Sequence, residues 1–186
     1  MKPQETEAAQ TGADTSTTVA TPSPALAFKI EQIAINPKNP KAARKLLALL
    51  GLDLWVDDVV AASGHVFEGE EKIYNVANLA FNYQASVVDA KPLELEILDY
   101  KIGDNWMARR AQSVSHLGMH CTEDELTAWR AKFAENKIGV AQEVFTEAHS
   151  NPAIKDSRRY HYVVFDTRAV LGTDLKFIVR RDIAQS

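Results

Sequence analysis

The stretch Ser115-His116-Leu117-Gly118-Met119-His120, followed by a helical segment and later by Val164-Phe165-Asp166-Thr167-Arg168-Ala169-Val170-Leu171-Gly172-Thr173-Asp174-Leu175-Lys176-Phe177-Ile178, decides how this chain is read. A strand repeats every two residues, so His116, Gly118 and His120 share one face and Leu117 and Met119 the other. Such a strand can aim imidazoles into a cavity. An earlier stretch has the same layout: Ile30-Glu31-Gln32-Ile33-Ala34-Ile35-Asn36, a helix, then strands ending in Leu93-Glu94-Leu95-Glu96-Ile97-Leu98. The chain therefore reads as two copies of one unit, with any active site built from both.

Working outward, Phe28 to Asn36 alternates as a strand, and Pro37 and Pro40 bracket the turn into a helix carrying Ala42, Ala43, Leu46, Leu47, Leu49 and Leu50, which Gly51 stops. Strands are expected over 58–67, 77–84 and 93–100. In the second half Val114 to His120 is a strand, and Thr122-Glu123-Asp124-Glu125 is a capping-box start for a helix presenting Leu126, Trp129, Arg130 and Phe133 and ending near Gly139. Strands follow over 140–146, 159–166 and 174–180. The fold class is α+β, with two βαβββ modules forming a curved, cup-like sheet. The division expected is 1–26 as a disordered tail, 27–110 as the first module and 111–186 as the second. The tail is rich in Thr, Ala, Ser and Pro and has too little apolar surface to offset its ordering entropy.

Bulk properties narrow the function. With 186 residues, 46% of them apolar, the chain can bury one core or two small modules sharing one. A net charge of -4, spread along the chain, implies neither a nucleic-acid surface nor a membrane-binding face. Arg109-Arg110, Arg158-Arg159 and Arg180-Arg181 are short clusters that read as solvated or ion-paired. The single cysteine, Cys121, excludes an intramolecular disulfide and a thiolate zinc cluster. With no apolar targeting run, the expected setting is the cytoplasm.

The element order and the residues just quoted resemble the vicinal oxygen chelate superfamily, which includes glyoxalase I, extradiol dioxygenases, methylmalonyl-CoA epimerase and the bleomycin-resistance proteins. The resemblance covers about residues 28 to 181. It is clearest in Phe165-Asp166-Thr167-Arg168 through Ile178, which is similar to the family's Phe-x-Asp-Pro-x-Gly turn and final strand, with Thr167 in the usual proline place. The resemblance implies a glyoxalase-like cup around a small-molecule ligand, and metal ligands from the first and last strand of each half. Those places fall on Gln32, Glu96, His116 and Lys176. Glutamine is known at the first of them in glyoxalase I enzymes. Lys176 departs from the pattern: a carboxylate is expected there, and an ammonium can neither ligate a metal nor tolerate a dication nearby without a large pKa drop.

Two readings follow. In one, Gln32, Glu96 and His116 hold a divalent ion such as iron, manganese, nickel or zinc for lyase, isomerase or dioxygenase chemistry, with Glu96 as ligand or base and Lys176 on a substrate oxygen. In the other, Lys176 and Glu96 form an ion pair, no metal binds, and the cup binds or sequesters a ligand. A shift of register would bring Glu94 or Asp174 inward instead. A non-catalytic assembly role for the tail is a third possibility, and a homodimer is allowed. Around the cup, His120 is a candidate ligand or base on the face of His116. His149 is expected in a polar rim loop before Asn151-Pro152, and Arg158, Tyr160 and Tyr162 are candidates for an anionic or phenolic ligand. His65 and His161 are expected at the surface, and Trp55, Trp106 and Trp129 in packing roles.

Overall fold

A computed structural model describes residues 26–66, 71–85, 92–102 and 114–183. The expected tail and Trp106 lie outside the described residues. The elements are β1 (Gln32–Ile35), α1 (Pro40–Ala48), β2 (Trp55–Val66), β3 (Glu71–Asn82), β4 (Glu94–Ile102), β5 (Val114–Cys121), α2 (Glu123–Glu135), β6 (Val140–His149), β7 (Arg158–Phe165), a short α3 (Arg168–Leu171) and β8 (Asp174–Asp182). The strands close into a barrel in the order β1-β4-β3-β2-β6-β7-β8-β5. Each half contributes first strand, last strand, then the two middle ones. The halves meet at two antiparallel seams, β1 with β5 and β2 with β6.

Local chemistry sets the two helices. Asn39 caps α1 by accepting from the Ala42 amide at 3.0 Å, and Pro40 fills the first turn, where its missing N–H is no loss. Past its C-terminal end, Gly51 takes φ +80, the left-handed conformation glycine tolerates. α2 starts with the expected reciprocal box: the Glu125 amide donates to Thr122 Oγ1 at 3.2 Å and the Thr122 amide to Glu125 Oε2 at 2.8 Å.

The helices differ in what they cover. α2 lays Leu126 and Trp129 on the outer face of β5, β7 and β8, where Phe28, Phe133, Phe165 and Phe177 form a connected aromatic cluster, Phe165 and Phe177 edge to face at 5.3 Å. These edge contacts add about 0.5–1.5 kcal/mol per pair to the area buried. α1 buries no residue: its Leu46 is 62% exposed, and Leu49 and Leu50 just past its end are 81% and 70% exposed.

Two expectations are corrected. His161 is buried rather than superficial, its Nε2 2.6 Å from Glu143 and its ring stacked on Phe145 at 4.2 Å. The segment from Thr146 to His149 continues β6 instead of forming a loop, because β2 pairs with it as far as Val60 and His149. α3 was not anticipated; it occupies the turn where the family pattern has proline.

Candidate functional site

Alternation along the strands places Gln32 and Ala34 of β1, Glu94 and Glu96 of β4, His116 of β5 and Lys176 of β8 on the inner face of the barrel. Register does the rest: Gln32 lies opposite both Glu94 and Gly118, and Gly118 lies opposite Lys176. The four residues assigned to the ligand places are thereby brought together.

Gly118 opens the centre. A Cβ there would stand 2.8 Å from Gln32 Oε1 and 3.0 Å from Gln32 Cβ, so the missing side chain is what lets Gln32 reach across β5. Gly118→Ala is expected to cost about 1–3 kcal/mol through this overlap, measured as a shift in the urea midpoint.

His116 Nε2 lies 3.0 Å from Gln32 Oε1 and 3.2 Å from Glu96 Oε2, and its Nδ1 lies 3.3 Å from Ser115 Oγ. Two acceptors at Nε2 place the ring proton there. Burial and then the Lys176 charge disfavour the imidazolium and lower the His116 pKa to about 4, so the ring is neutral at pH 7. Lys176 Nζ is 3.4 Å from the same Glu96 oxygen and 4.3 Å from the centre of the Tyr162 ring. Burial alone would raise the Glu96 carboxyl, but the Lys176 ammonium and the His116 N–H outweigh it and hold it far below the usual range. The centre is an anion with one cation and one neutral donor on it.

Glu94 behaves differently. Burial, and next the charge of Glu96, push its pKa up against the hydrogen bonds from Gln32 and Tyr83. It faces an outer cavity of about 410 Å³ that also touches His120, His149, Arg158, Tyr160 and Tyr162. An inner chamber of about 70 Å³ continues beneath, between apolar walls, and Glu96, Tyr162 and Lys176 border both spaces.

The remaining candidates take distinct places. His120 stands at the exposed mouth, Nδ1 3.3 Å from Glu31 Oε2, away from the contacts of His116. His149 is buried and engaged at both nitrogens, Nδ1 2.7 Å from Asp58 Oδ2 and Nε2 2.9 Å from Thr146 Oγ1. Burial opposes ionisation of Asp58, yet His149 and the amides of Asn151 and Ser150 hold its carboxyl below the ordinary value. Tyr160 and Tyr162 share a face and stack at 5.8 Å, with Arg158 two residues earlier on that face. Asp174 also turns inward, fully buried and paired with Arg168 Nη2 at 3.0 Å. Sequence reasoning missed Asp58, Tyr83 and Asn75; a pair of acids inside the otherwise apolar Trp55-Val56-Asp57-Asp58-Val59-Val60 was the available signal for the first.

The strand order and the two seams match the cup expected from the sequence. The chain's eight described strands form the glyoxalase-like cup that the sequence resemblance implies. No family model matches it, and no curated protein does. Among solved structures, a methylmalonyl-CoA epimerase variant of Streptomyces coelicolor in complex with 2-nitronate-propionyl-CoA aligns at 14% identity over 81% of this chain and 93% of its own, with a TM-score of 0.48. A methylmalonyl-CoA epimerase in complex with methylmalonyl-CoA and ammonium aligns at 14% identity over 81% and 92%, TM-score 0.47. A hypothetical protein from Bacillus halodurans aligns at 11% identity over 85% and 98%, TM-score 0.45. No helix among the described residues is long and apolar enough to cross a membrane.

The donor set can be tested against a divalent ion. Gln32 Oε1, His116 Nε2 and Glu96 Oε2 are spaced as neighbouring ligands would be, but the ammonium of Lys176 already neutralises Glu96. A dication bonded to that oxygen, about 5 Å from the ammonium, would be repelled by roughly 7 kcal/mol at an effective dielectric near 20. With Lys176 in place and protonated, the residues do not fit a resident metal.

Proposed function

We propose that this protein binds a small oxygen-rich molecule in its barrel without a metal, Lys176 and His116 supplying the positive charge and the N–H that a cation would otherwise supply. The observation that carries this reading is the buried contact of Lys176 Nζ with Glu96 Oε2 at 3.4 Å, in the place where the family resemblance expects a fourth ligand. A ligand oxygen entering beside the pair meets a charged donor already held by the Tyr162 ring. Any proton transfer in the cup falls to Glu94, the carboxyl whose pKa burial and Glu96 raise. Homodimerisation and a cytoplasmic setting remain expectations of the same reading.

Elemental analysis of protein purified without chelator, then offered Mn²⁺, Ni²⁺ and Zn²⁺, tests it. The expected result is no stoichiometric metal in the wild type and metal gained by Lys176→Glu, which restores a carboxylate. Near-stoichiometric metal in the wild type that disappears in His116→Ala and Glu96→Gln would overturn the reading.

A further inference from the structure

Among the described residues, two polar groups bordering the cavities have no protein partner. Asn75 of β3 is only 8% exposed and borders the inner chamber, yet its Oδ1 receives no hydrogen bond. Such an orphaned acceptor is destabilising unless something from outside the protein donates to it. The walls beside it include the apolar Ala62, Ala77 and Val144, and the Gln142 amide, which also borders the chamber, makes no hydrogen bond to Asn75 Oδ1. At the other end, the Arg158 guanidinium borders the outer cavity and has no carboxylate or carbonyl partner among the described residues. The neighbouring arginines are engaged: Arg159 on the carbonyls of Lys155 and Arg158, Arg180 on Asp182.

We infer that the ligand is a slender anion, its acid group against Arg158, its stem passing Tyr162 and Lys176, and a hydroxyl or amide N–H at its far end donating to Asn75 Oδ1. This rests on the metal-free reading of the same barrel. The chamber sets the shape. At about 70 Å³ it takes the end of a chain and excludes a ring, whereas the outer cavity of about 410 Å³ is in the range of small-molecule sites. The terminal donor sets the selectivity, because a ligand lacking it leaves Asn75 unpaired and forfeits the gain. The acid group adds a bidentate contact to a planar guanidinium.

Calorimetric titration at pH 8 with 8-hydroxyoctanoate, octanoate and 1,8-octanediol tests this. The hydroxy acid is expected to bind roughly tenfold more tightly than octanoate, and Asn75→Leu is expected to erase that difference while the variant still binds octanoate. Arg158→Gln should weaken both acids about tenfold and leave the diol unchanged. Equal binding of the two acids to the wild type would mean that water fills the chamber, and would overturn the inference. So would binding indifferent to Arg158→Gln, or no binding by any of the three. The metal assay runs separately: metal in the wild type with the probe pattern intact sinks the metal-free reading alone, and a failed probe pattern in metal-free protein sinks this inference alone.

Discussion

Replacing Lys176 with methionine is expected to lower the unfolding free energy at pH 7 by about 3–5 kcal/mol. The methylene stem is largely conserved, so the loss is electrostatic: Glu96 is 1% exposed and would keep its charge with only the His116 N–H against it. Relief comes from protonation, so the Lys176→Met variant should lose less in acid than at neutral pH. Glu96→Gln combined with Lys176→Met removes both charges and should recover most of the loss, since a buried ion pair exchanged for neutral groups is often close to neutral. A double-mutant cycle by urea denaturation reads the coupling directly. A single-variant loss under about 1 kcal/mol would show that the two side chains do not depend on each other.

Acid should loosen the fold through His116. Its folded-state pKa, about 4, lies below the ordinary 6.5, so the unfolded chain takes up the proton first as pH falls. The contribution is complete above pH 6.5, is lost between 6.5 and 4, and changes no further below that. The slope is at most about 1.4 kcal/mol per pH unit and the total roughly 3 kcal/mol. Glu94 works the other way: its raised pKa means the folded state holds the proton more tightly, so its contribution grows as pH falls toward 4.5. The difference between wild type and His116→Gln therefore isolates the histidine. Denaturation midpoints at several pH values between 7.5 and 4.5 should converge as the pH falls. A constant gap between the two proteins would refute the assignment.

Sequence carried the inner face of the barrel because that information is local and periodic. A one-residue slip in β5 or β8 would have turned His116 or Lys176 outward, and both strands are anchored, β5 by the capping box at Thr122 and β8 by the turn ending at Gly172. His149 went astray because Asn151-Pro152 signals a turn close by, while the pairing with β2 that carries β6 on to His149 comes from the other half of the chain. Asn75 and Asp58 look unremarkable in sequence; their significance depends on which cavity the closed barrel turns them toward. The fate of α1 was equally invisible. Leucines at helical spacing announce an apolar face, but only the opposing surface decides whether it is covered.

That contrast between the helices makes the molecule thermally uneven. α2 is bonded into an aromatic cluster and can open only when β5, β7 and β8 let go, whereas α1 has nothing buried to restrain it. Amide exchange should therefore release Pro40–Ala48 first, by local opening far below the global unfolding free energy, and hold the α2 amides until the whole barrel opens. One half of a duplicated architecture then acts as the anchor, and the other is the place where the chain can yield to a binding event without unfolding.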